Sequence, residues 1–128
     1  MKKMFVLLSH TLSDAQIAEA RTNFGVLEFV KLPANLQEAF SSVPPDLDYL
    51  SDFARPFMEF LSQNAKNGDL AVIQGDFGLT YILVGFCKKI DIKALYATTK
   101  RVVSERNENG KISKISTFEH INFREYKC

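Results

Sequence analysis

The sequence has no tryptophan, and its 128 residues include only two cysteines, two histidines, four prolines and six glycines. Cys128 is the final residue and Cys87 sits in an apolar run, so neither a disulfide framework nor a zinc site of ordinary spacing is available. His10 and His120 lie far apart in sequence, and no metal or cofactor is expected. No apolar run approaches the roughly 18 residues that a spanning helix needs, which argues against a membrane protein. Lys2-Lys3 ahead of Met4-Phe5-Val6-Leu7-Leu8 imitates a leader. The run stops at Ser9-His10 and no small-residue cleavage site follows, so a cytoplasmic protein is expected. A net charge of only +1, with no interleaving of aromatic and basic residues, weighs against a long nucleic acid as partner.

The composition that is present, 46% hydrophobic and 24% charged, is that of a globular protein with one domain over 1–128. The small net charge conceals an asymmetry. The first 85 residues carry 6 basic and 10 acidic side chains, and the remainder carry 10 and 5. The C-terminal third therefore reads either as a surface that meets an anion or as a solvated basic face.

Met4 to Ser9 suits a buried parallel strand. Ser13 with Gln16 forms a capping box for a helix whose face is Ile17, Ala18, Ala20 and Phe24, and Gly25 ends it. Val26 to Val30 is the second strand, and Leu36 to Phe40 a short helix. After Pro44-Pro45, Asp46 caps a long helix bearing Leu47, Leu50, Phe53, Phe57, Phe60 and Leu61, which Pro56 kinks or splits. Leu70 to Ile73 is a central strand. Gln74 to Thr80 is a glycine-containing loop that opens a helix to about Lys89, and Lys93 to Ala97 is a fourth strand. Val102 to Arg106 and Lys111 to Phe118 alternate around Asn109-Gly110, which signals a β-hairpin. His120 to Tyr126 extends its second arm or forms a further strand. Alternating strands and helices predict an α/β, Rossmann-like three-layer sandwich with a mostly parallel sheet and a C-terminal β-hairpin.

Ligands of such sheets bind beyond the carboxyl ends of the strands, which selects three loops. In the first, Ser9 and Thr11 offer hydroxyls and His10 a group that titrates near neutral pH, for ligand contact or proton transfer. In the second, Gly75 and Gly78 allow close backbone approach to a ligand, Asp76 caps the helix or binds a ribose, and Phe77 stacks on a base or joins the core. Gln74 and Thr80 bound that loop. In the third, Thr98, Thr99, Lys100 and Arg101 place two hydroxyls and two cations just past a strand, as a phosphate site or a solvated hairpin base. No catalytic triad, nucleophile elbow or carboxylate pair emerges, so any phosphoryl chemistry here is expected to be metal-independent.

Five segments in order, SHTLS (Ser9 to Ser13), LPANLQEAF (Leu32 to Phe40), GDLAVIQGDFGLTY (Gly68 to Tyr81), LYATTKR (Leu95 to Arg101) and FEHINFREY (Phe118 to Tyr126), resemble a family of small stand-alone CRISPR-associated proteins of the Csx type found with type III systems. That resemblance implies a relative of the CRISPR-associated Rossmann fold. It also implies a homodimer that binds a cyclic oligoadenylate, cyclic tetra-adenylate foremost, at the dimer interface. The implied activity is that of a ring nuclease, which cleaves this second messenger and switches off the antiviral response. Ser9, His10 and Lys100 would then serve cleavage. Thr11, Gln74, Gly75, Asp76, Phe77, Gly78, Thr80, Thr98, Thr99 and Arg101 would bind the ligand. A non-catalytic sensor or sponge for the same messenger, and an unrelated small nucleotide-binding protein, are the alternatives.

Overall fold

The computed structural model describes residues 2–127; Cys128, and with it the expectation of no disulfide to Cys87, lies outside them. The elements run β1 (Lys3–Leu8), α1 (Asp14–Phe24), β2 (Glu28–Lys31), α2 (Ala34–Ser41), α3 (Ser51–Asn64), β3 (Leu70–Gln74), α4 (Phe77–Lys89), β4 (Lys93–Glu108) and β5 (Lys111–Glu125). They build one five-stranded sheet in the order β2-β1-β3-β4-β5. β1 is parallel to β2 and β3, β3 is parallel to β4, and β5 closes the sheet antiparallel to β4.

The alternation of β1 explains the layering. Phe5 and Leu7 point to one face, where Phe40 of α2, Phe57 and Leu61 of α3 and Leu79 and Leu83 of α4 cover them. Met4, Val6 and Leu8 point to the other, against Ala20 and Phe24 of α1 and Phe123 of β5. A strand covered on both faces must be apolar at every position, which is why β1 and β3 read as continuous apolar runs.

The capping box of Ser13 and Gln16 forms, and Gly25 ends α1 with φ 69°. The buried face of α1 is Gln16 and Ala20, whereas Ala18 faces solvent. Asp46 caps nothing: α3 begins at Ser51, and Leu47 stands 45% exposed. Pro56 does not split α3, which runs unbroken to Asn64. Its position in the second turn removes one hydrogen bond and leaves the apolar seam of Ala54, Phe57 and Leu61 intact.

Two larger differences concern the C-terminal half. The second predicted loop is shorter, because α4 already starts at Phe77. The third is no loop, since Thr98 to Arg101 continue β4 to Glu108. The turn at Asn109-Gly110, with φ of 52° and 77°, closes a long ribbon as the sequence led one to expect. A bulge between Thr98 and Thr99 marks where the ribbon leaves the body: Thr98 pairs with Asn122 and Thr99 with His120, so Ile121 is the extra residue. Just below it, the half-buried Glu19 of α1 accepts hydrogen bonds from His120 Nε2 and from the Phe123 N–H.

Candidate functional site

β1 and β3 end at one edge of the sheet, which β4 reaches at Ala97 and runs beyond. Leu8 pairs with Gln74, and the Gln74 side chain accepts the Ala97 N–H at 2.8 Å. The strand order reverses between β1 and β3, so the switch-point crevice lies between their carboxyl ends. Among the described residues, two cavities open at this edge and hold part of the sequence-predicted set, Ser9, His10 and Thr11 in one and Gln74, Gly75, Phe77 and Thr80 in the other.

The first cavity, about 550 Å³, lies between β1, α1, β2 and α2 and holds Ser9, His10 and Thr11. Val6, Ile17 and Phe29 supply apolar wall, and Arg21, Lys31 and Gln37 supply polar groups. Gln37 donates to the Leu8 carbonyl at 2.8 Å, which pins α2 to the end of β1. The Arg21 guanidinium lies over the Phe29 ring, 5.7 Å from its centroid, and presents a flat cationic plate. His10 Nδ1 donates to the Thr11 carbonyl at 3.0 Å, and this tautomer leaves Nε2 as the basic ring nitrogen.

The second cavity, about 460 Å³, is lined by Gln74, Gly75, Phe77, Thr80, Tyr81, Val84 and Tyr126. Phe77 is 95% exposed and does not join the core; Tyr81, one turn later on α4, is 82% exposed. Two bare aromatic faces on one cavity wall offer surfaces on which a planar ring can stack. Tyr126 donates its hydroxyl to the Ile73 carbonyl at 2.6 Å. Burial, and then the neighbouring Tyr96, raise its pKa, so it stays a neutral donor through the physiological range.

Several predicted ligand contacts have structural work instead. Asp76 caps α4 by accepting the Leu79 N–H at 3.0 Å, so its carboxylate occupies the helix start that an anion would need. The Thr80 hydroxyl accepts the Gly75 N–H at 3.1 Å and ties the loop to the helix. The glycines make room for side chains. A Cβ on Gly75 would lie 2.7 Å from the Phe40 ring, and one on Gly78 would lie 3.1 Å from Leu50. Gly75→Ala is therefore expected to destabilise the fold by about 1–3 kcal/mol, because the buried Phe40 must yield. A lowered thermal midpoint with an unchanged far-ultraviolet spectrum is the measurement that checks it.

Thr98, Thr99, Lys100 and Arg101 line neither cavity. They rise on β4 above the shared edge. The Thr98 hydroxyl is bonded to the Asn122 backbone, and Arg101 donates to the Ser116 hydroxyl at 3.0 Å. Lys100 is exposed, opposite Glu119. Because side chains alternate along a strand, Lys100 and Arg101 project from opposite faces of the ribbon.

The sequence reading missed Arg21, Lys31, Gln37, Tyr81 and Tyr126. Helical spacing was the available signal for two of them: Arg21 follows Ile17 by four residues, and Tyr81 follows Phe77 by four. Among the described residues no cluster of histidine, cysteine, aspartate and glutamate could hold a metal ion. Cys87 is fully buried in the core, and burial pushes its thiol pKa up to about 12, which keeps it unreactive. Among the described residues no helix is long and apolar enough to cross a membrane.

The arrangement defines an α/β protein whose polar, cationic and aromatic groups gather at the carboxyl edge of a mostly parallel sheet. Residues 2–124 match the family described as the uncharacterized protein MJ1673 family, and the chain belongs to that family. It is 46% identical over 126 residues to the uncharacterized protein MJ1673 of Methanocaldococcus jannaschii, with 98% of each chain covered. No solved structure matches the chain.

Proposed function

We propose that the protein is a cytoplasmic, homodimeric ring nuclease with a fold like the CRISPR-associated Rossmann fold, and that it cleaves cyclic oligoadenylate, cyclic tetra-adenylate foremost. The observation that carries this reading is the shared edge. Segments far apart in sequence, around Ser9, Gln74 and Ala97, lie side by side there. Aromatic faces on one side (Phe77, Tyr81) and cations on the other (Arg21, Lys31) flank the switch-point crevice. A ring of bases and phosphates needs both kinds of group, several times over, at one surface.

In the proposed reaction a ribose 2′-hydroxyl attacks the adjacent phosphorus. The 2′-O–P bond forms and the P–O5′ bond breaks. His10 Nε2 takes the hydroxyl proton and loses it again to solvent, the leaving 5′-oxygen takes a proton from solvent to become a hydroxyl, and no water is consumed. The product is linear with a 2′,3′-cyclic phosphate end. Ser9 and Thr11 position the ribose and phosphate beside His10. Lys100, three residues above Ala97 and so about 10 Å up the ribbon, brings its ammonium down to the charge that develops. Positioning and electrostatics supply the rate, so a chelator leaves it unchanged.

Incubation with cyclic tetra-adenylate in the presence of chelator, followed by chromatography, tests this. Linear product with a cyclic phosphate end is expected. Tight binding without product would make the protein a sensor or sponge, and neither binding nor cleavage would overturn the reading.

A further inference from the structure

Among the described residues, the outer part of the longest feature of the molecule pairs with no third strand. Above the bulge, ten residue pairs from Thr99–His120 to Glu108–Lys111 form a two-stranded ribbon, with no third strand on either side among the described residues. At strand spacing this extends about 34 Å. A hairpin of this kind is marginally stable alone and requires a further strand or a packed face. It also carries exposed apolar side chains: Val103, Ile112 and Phe118 are 53%, 67% and 70% accessible.

These three share one face. Residues directly opposite in the ladder point the same way, so Arg101–Phe118, Val103–Ser116, Glu105–Lys114 and Asn107–Ile112 line one side. The other side carries Lys100–Glu119, Val102–Thr117, Ser104–Ile115, Arg106–Ser113 and Glu108–Lys111 and is more polar. The ribbon from Thr99 to His120 holds five basic and three acidic side chains, too evenly mixed for a nucleic-acid stripe.

We infer that this apolar face is the dimer interface and that its occupant is the same face of a second copy. A two-fold axis running along the ribbon turns the partner so that each β4 side chain meets the β5 side chain of its own level. Glu105 then falls on the partner's Lys114, and Arg101 over the partner's Phe118 ring. Val103 enters the space left by the partner's small Ser116, and Asn107 lies beside the partner's Ile112. Charge meets opposite charge, and cation meets aromatic once Arg101 gives up its hydrogen bond to Ser116 of its own ribbon. Both bodies lie at the same end of the paired ribbons, and each Lys100, on the outer face of its ribbon, points away from the seam. The inference gives a surface to the homodimer proposed above, but the ribbon pairing stands on the ladder alone.

Sedimentation at micromolar concentration without nucleotide tests it, independently of any cleavage. The wild-type chain is expected to sediment at twice its chain mass. Phe118→Glu, Glu105→Lys and Lys114→Glu should each weaken association by about a hundredfold or more, because like charges or a buried carboxylate then meet at the interface. All three sites are exposed, so unchanged thermal midpoints check that the body remains folded. Ile115→Glu, on the opposite face, should remain dimeric. The decisive arm mixes Glu105→Lys with Lys114→Glu: each alone repels itself, but together they place lysine on glutamate twice across the axis and should associate. A cross-strand pair within one ribbon could not produce that gain on mixing. A monomeric wild type, charge variants that stay dimeric, or no gain on mixing would each overturn the inference.

Discussion

Lys100→Ala is expected to slow single-turnover cleavage of cyclic tetra-adenylate by about 10²–10³, the usual cost of removing one electrostatic donor from a phosphoryl transition state. The side chain is exposed and faces Glu119 across the ladder, so its loss should leave the thermal midpoint nearly unchanged. Lys111→Ala is the control: it sits at the ribbon tip beside the Asn109-Gly110 turn and should leave cleavage as it was. If both variants cleave at the wild-type rate, the ribbon does not serve the chemistry. The reaction would then rest on Ser9 and His10 in the cavity between α1 and α2. The structure makes this a sharp alternative, because His10 lines a cavity and Lys100 would have to reach down to it from the ribbon.

Glu19→Ala should cost about 3 kcal/mol of stability. Its carboxylate is the acceptor for both the Phe123 N–H and His120 Nε2, and the removal strands both donors in a partly buried seam. An unsatisfied buried group costs about 1–3 kcal/mol, and two are created. The site is already short of partners, since His120 Nδ1 is buried without one. Glu19→Gln keeps an acceptor oxygen and should lose less. Chemical denaturation reads both. Glu19 joins α1 to the strand at the base of the ribbon, so Glu19→Ala should also speed hydrogen exchange there before the rest of the sheet opens. Equal stability of wild type and Glu19→Ala would show that β5 is held by its ladder and by Phe123 packing alone.

Local chemistry made much of this molecule readable. The Ser13–Gln16 box and the left-handed Gly25 fix α1 from within a few residues. The apolar runs of β1 and β3 announce strands buried on both faces, and Asn109-Gly110 can hardly be anything other than a hairpin turn. Asp76 was readable as a cap because an aspartate ahead of a helix satisfies an orphan N–H whatever surrounds it.

Other features depend on partners distant in sequence. Gly75 and Gly78 read as approach points for a ligand, but the space beside them belongs to Phe40 and Leu50, more than 25 residues away. Gln74 and Thr98 carry groups that suit a ligand, yet Ala97 and Asn122 engage them. Thr98 to Arg101 looked like a loop because four polar residues end an apolar run. They stay in the strand because β5 supplies the ladder on one side, and the ribbon buries too little to require apolar residues. Pairing of the candidate residues into two cavities was equally hidden, since α1 and α2 bring Arg21, Lys31 and Gln37 to His10 only once β2 has docked beside β1. The sequence by itself determined the elements, their order and the polar character of one sheet edge, because propensity, capping and burial pattern act within a few residues. Only the tertiary structure decided which polar groups remain free at that edge, because each hydrogen bond and each packed ring there joins chain segments that have no local relation to one another.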